Sequence, residues 1–219
     1  MHANGHFSPK VLPKRKFAPI TLYGHAEVER KDGGVPAALE QAVLEFDRDG
    51  KLEVSGLAEC PAATVARAAP EEARALCRGA IVGEGHVDAS IAVPGVAIAV
   101  ESLLTVFNGP RLQDGAPTAI IHAQLPAPVL QTFAIEVAIE RQRGPYAYRA
   151  IINVPPIAGG LGALTHVDAK IGRRYVAAGV KRSYVAARCS DSILEARGTF
   201  TFAGGTTVNG SVPQFCQAR

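Results

Sequence analysis

Apolar and polar residues alternate along most of this chain with a period of two. Ile20, Leu22, Gly24, Ala26 and Val28 fall on one side of such a segment, and Thr21, Tyr23, His25, Glu27 and Glu29 on the other. That is the pattern of a strand with one face buried. Similar segments cover residues 81–93, 97–107, 118–125, 132–141, 146–154, 164–171, 183–188, 193–202 and 207–212. Turn residues separate several of them: Pro94-Gly95, Asn108-Gly109-Pro110, Arg143-Gly144-Pro145 and Ala203-Gly204-Gly205. Asp49-Gly50 reads as a hairpin turn between residues 44–47 and 52–54. Residues 39–46 also fit a helix through Leu39, Val43 and Phe46, although the hairpin that follows favours a strand for their second half.

One segment reads as a helix on other grounds. Pro70 opens it, Glu71 and Glu72 occupy its first turn, Arg74 and Arg78 follow, and Gly79 ends it. The pattern therefore predicts an all-β fold, an antiparallel sandwich or partly closed barrel of roughly ten to twelve strands, with one short helix near 70–78. A single β-rich domain over 1–219 is expected; a subdomain boundary, if there is one, falls near 108–117.

Composition narrows the function classes. The formal net charge is +3, and the basic clusters Lys14-Arg15-Lys16, Arg173-Arg174 and Lys181-Arg182 are short and far apart. Nucleic-acid binding calls for a denser basic face with interleaved aromatics, so that partner is not expected. Apolar runs fall short of the roughly 18–20 residues that span a bilayer; the longest, Ile91 to Val100, contains Pro94 and Gly95. The four cysteines, Cys60, Cys77, Cys189 and Cys216, form two local pairs without a CxxC spacing. Zinc ligation by thiolates usually needs such a spacing. Disulfides Cys60–Cys77 and Cys189–Cys216 are expected instead, and they imply an oxidising compartment. The chain then reads as secreted or envelope-located, its export signal removed.

The chemistry worth weighing lies in three short repeats. His25-x-Glu27, His86-x-Asp88 and His166-x-Asp168 each place an imidazole and a carboxylate on one face of a strand, with His122-x-Gln124 as a weaker fourth. Residues i and i+2 lie about 7 Å apart along a strand, and a neighbouring strand about 4.8 Å away completes a cluster. If the strands converge, His25, Glu27, His86, Asp88, His122, His166 and Asp168 are candidate ligands for a divalent metal. His166 and Asp168, with His86 and Asp88, are then also candidates for a general base and its orienting carboxylate. If they do not, the repeats are solvated strand faces. No organic cofactor is implied. The chain lacks a Gly-x-Ser-x-Gly elbow and a His-Glu-x-x-His motif. Its glycine-rich run after Pro155-Pro156 leads into a strand and lacks the Walker lysine.

Four segments, LPKRKFAPITLYGHAEV, CRGAIVGEGHV, VPPIAGGLGALTHVDAKI and SYVAARCSDSILEARGTFTFAGGT, together resemble a group of uncharacterised exported β-rich proteins of actinobacterial type. The resemblance implies export and disulfides and assigns no site residue. The expectation is a non-enzymatic binding or structural protein at the cell envelope or outside the cell. Its partner would be a protein, a surface polymer or another copy of itself. The alternatives are an extracellular hydrolase or metal-dependent enzyme using the strand-face histidines, and a carrier of an apolar ligand inside a half-open barrel.

Overall fold

Strand alternation sends the apolar half of each strand into a shared interior, and the sheet curls round it. The computed structural model describes residues 1–94, 96–127 and 129–219. Its main strands are β1 (His2–Ser8), β2 (Thr21–Glu27), β3 (Leu39–Asp47), β4 (Ile81–Val93), β5 (Val96–Asn108) and β6 (Thr118–Leu125). They continue as β7 (Gln131–Arg141), β8 (Tyr146–Asn153), β9 (Gly162–Ile171), β10 (Ile193–Phe202) and β11 (Thr207–Phe215). These eleven strands form one sheet in the order β1-β2-β9-β4-β5-β6-β7-β8-β3-β10-β11. The sheet is antiparallel, barrel-like and nearly closed, the all-β antiparallel architecture expected.

The interior is apolar. Val87, Ala89 and Ile91 of β4 are buried with Leu104 and Val106 of β5, Ala123 and Leu125 of β6, Val137 and Ile139 of β7, and Ala150 of β8. Each large aliphatic side chain buried this way stabilises the fold by about 1.5–3 kcal/mol. Residues 39–46 form strand throughout, because β3 is hydrogen-bonded to β8 on one side and β10 on the other. Residues 109–117 connect β5 and β6, which pair from Asn108↔Ala119 onwards. In the turn expected at Pro94-Gly95, Gly95 lies outside the described residues.

The edge strands β1 and β11 meet at one end of the barrel. There Gln217 and Ala218 pair in parallel with Val11 and Leu12. The N–H groups of Gln217 and Arg219 donate to the carbonyls of Lys10 and Leu12 at 2.9 and 3.0 Å. The Cys189–Cys216 disulfide secures this seam, and the Cys189 N–H donates to the Pro13 carbonyl at 3.0 Å. The fully buried Asp49 braces the same end. Its carboxylate accepts from Arg188 Nε at 2.8 Å and from the Ser190 N–H at 2.9 Å. Burial alone would raise the Asp49 pKa, but the bonds from Ser190 and Arg188 outweigh it and hold it below the usual carboxylate value.

Outside the barrel, helices α1 (Ala62–Val65) and α2 (Pro70–Leu76) lie over β5, β6 and β7. Val65, Ala68, Ala73 and Cys77 pack with Phe107, Ile120 and Ala134, and the Cys60–Cys77 disulfide staples this cap. The helix starting at Pro70 is as expected. The four-residue α1 carries neither a capping side chain nor an acidic first turn to announce it. Beneath the cap, His122 is fully buried, with Nε2 3.1 Å from the Ala68 carbonyl and Nδ1 without a hydrogen-bond partner among the described residues. Burial holds its pKa below the ordinary histidine value.

Two outcomes follow from this packing. A Cβ on Gly85 would run into the carbonyl of Asp168 on β9, so Gly85→Ala should cost about 1–3 kcal/mol by overpacking. Chemical denaturation measures that loss. For His122, the unfolded chain takes up a proton near pH 6.5, before the folded chain does. Stability from this group is therefore full above about pH 7 and falls as pH drops through the unfolded value. Thermal unfolding followed from pH 7.5 to 5 should show this decline, and His122→Gln should flatten it.

Candidate functional site

The three His-x-acid segments lie on β2, β9 and β4, which are adjacent in the sheet. Because neighbours run antiparallel, reading the same motif in opposite directions sets each imidazole opposite a carboxylate. His25 faces Asp168 and Glu27 faces His166 across β2 and β9. Across β9 and β4, His166 faces Asp88 and Asp168 faces His86. A register shift between Leu164 and His166 helps to place them. Leu164 packs inward opposite Ala89, and after the extra residue Thr165 the side chain of His166 emerges on the outer face.

Extending the rows to the flanking strands completes a checkerboard. One row reads His2, Glu27, His166, Asp88 and Glu101; the next reads Asn4, His25, Asp168, His86 and Leu103. Four imidazoles and four carboxylates thus lie in two rows over five strands, alternating except where Asp88 meets Glu101, with no lysine or arginine among them. Distances bear out the contact. His25 Nε2 is 3.3 Å from Glu27 Oε1, and His86 Nδ1 is 3.6 Å from Asp168 Oδ2. His166 reaches two carboxylates, with Nδ1 3.9 Å from Glu27 Oε1 and Nε2 3.6 Å from Asp168 Oδ2. The rings of His25 and His166 meet edge-on, 4.8 Å between centroids.

His122 shares this outer face but not the cluster. It lies in the row Glu84, Thr105, His122, covered by the helical cap, and Arg74 of α2 bridges Glu84 and Thr105 beside it. His2 belongs to the cluster although no repeat announces it. Its strand, β1, is written in Ala3, Gly5 and Phe7 facing Ala26, Gly24 and Leu22, against His2, Asn4 and His6 on the polar side. That weak alternation is the signal by which it could be found. His6 stacks on Tyr23 at 4.5 Å between centroids.

The face is open. A shallow groove of about 330 Å³ runs along it past His2, His6, Tyr23, His25 and Asp168, and a second of about 550 Å³ lies beside Glu27, Glu29, Arg30 and His166. Neither row contains a serine or cysteine, and all four cysteines are in disulfides. Ser183 donates to the Val185 carbonyl at 2.7 Å and serves the fold. The barrel interior is packed with its own apolar side chains.

Further round the sheet the same alternation is built from permanent charges. Arg197 faces Glu45, Glu45 faces Arg149, and Arg149 faces Glu140. Arg197 Nε donates to Glu45 Oε2 at 2.6 Å, and that bond holds the guanidinium still more firmly protonated. No protein-family model, curated protein or solved structure matches this chain.

Proposed function

We propose that this is an exported, non-enzymatic binding protein that engages a cationic partner through the histidine–carboxylate face of its barrel. The observation that carries the reading is the convergence of Glu27, Asp88, Asp168 and Glu101 on one open face, interleaved with imidazoles and with Lys170 at its margin. Four carboxylates against one lysine make that face acidic on a chain of net charge +3, and it attracts positive groups against the sign of the whole molecule. Export is supported by the two disulfides, which persist in oxidising compartments, and by the resemblance to exported β-rich proteins. The shallow, open form of the face favours binding over hydrolysis.

Fluorescence anisotropy of a labelled oligolysine, with oligoglutamate as the opposite probe and EDTA present throughout, tests the reading. Oligolysine should bind at pH 7.5 and weaken with added salt. Asp88→Asn with Asp168→Asn should weaken binding roughly twofold to thirtyfold, given about 0.2–1 kcal/mol for each exposed charge pair. Equal binding by the double variant, or preference for oligoglutamate, would rule the reading out.

A further inference from the structure

The checkerboard is not uniform, and its β1–β2 corner has a different geometry from the rest. There His2, His25 and Glu27 each offer one ligand atom, and the three atoms lie within 4.8 Å of one another. His166 approaches the same point, its Nδ1 3.9 Å from Glu27 Oε1. We infer that this corner is a binding site for a divalent transition-metal ion of the Zn²⁺ type, held by His2, His25 and Glu27. The inference rests on reading the face as the place where cationic ligands land, and it names one of them.

The donor set selects the ion. Two imidazoles and one carboxylate suit Zn²⁺, Cu²⁺ or Ni²⁺, whereas Ca²⁺ and Mg²⁺ take oxygen ligands almost exclusively. At a tetrahedral centre with bonds of about 2.1 Å, ligand atoms sit roughly 3.4 Å apart. Rotations of these side chains, His2 exposed and His25 and Glu27 half-buried, close the gap from 4.8 Å. The backbone meanwhile fixes their origins: His2 and Glu27 are directly paired across β1 and β2, and His25 is two residues from Glu27 on the same face. Three protein ligands leave a fourth position open for water, for His166, or for a donor group of a partner. Asp168 lies beside the His166 ring at 3.6 Å, where a carboxylate orients an imidazole.

The rest of the outer surface supplies a comparison. The Arg197–Glu45–Arg149–Glu140 ladder has the same alternation and no imidazole, and its Glu45 carboxylate is already engaged by Arg197.

Isothermal titration of the full chain with zinc chloride at pH 7.5 tests the site, with nickel, calcium and magnesium chlorides as comparison ions. One saturable zinc site per chain is expected, matched by nickel and left unaffected by excess calcium or magnesium. His25→Ala and Glu27→Gln should each weaken zinc binding roughly tenfold or more, the size of loss typical when a metal site is damaged. Glu45→Gln in the arginine ladder should leave it unchanged. Absence of saturable zinc binding, or equal affinity in His25→Ala and Glu27→Gln, overturns the metal site. The two readings separate cleanly, since the oligolysine measurement is made in EDTA. Zinc failure with intact oligolysine binding removes the metal alone. Zinc binding with oligolysine insensitive to the Asp88 and Asp168 substitutions removes the cationic-partner reading and keeps the ion.

Discussion

The structure depends on one constraint, the parity of strands around a filled barrel. Each strand has two faces, and a slip of one residue exchanges them completely. The apolar interior makes such a slip costly: moving β9 by one position would carry Val167, Ala169 and Ile171 out to water and bring His166, Asp168 and Lys170 in. Ionic contacts on the outside are far too weak to set register by themselves, at about 0–1 kcal/mol for an exposed pair. The core therefore positions the histidine–carboxylate face, and the face contributes little to the core. Where Asp88 stands opposite Glu101, like charges directly across a strand pair are unfavourable. The core keeps them there.

A second constraint is closure. A curled sheet with two free edges would expose unpaired backbone along β1 and β11. Residues 10–13 and 216–219, neither of them part of the main sheet, bridge those edges at one end. The second disulfide, and the buried Asp49 with Arg188 and Ser190, hold the bridging segments in place. Two dissimilar kinds of interaction, covalent and charge-assisted, are concentrated where the ring is joined.

How much of this could be read from the sequence follows the range of each interaction. Strand alternation, the Pro70 helix and the local cysteine pairs are short-range features, and they are legible. The choice between sandwich and barrel was not, because closure brings the first residues against the last. The repeated His-x-acid segments were visible, yet their convergence depends on β2, β9 and β4 being neighbours although far apart in the chain. The bulge at Thr165 also shifts His166 relative to Leu164, against simple alternation. β1 escaped notice because Ala3 and Gly5 give its inner face little hydrophobic contrast, and His2 escaped with it. His122 matched the candidates by residue type alone. Its cover comes from α1 and α2, whose docking site on β5–β7 nothing local encodes.

The outward positions of β2, β9 and β4 carry almost none of the packing that makes the barrel. They form a panel on which side chains can be exchanged one for one while the framework behind stays the same. Drift along a lineage can therefore rewrite what this surface recognises without passing through a misfolded intermediate. Chains sharing the barrel would then diverge fastest where they touch the world, and keep their likeness in the residues that never do.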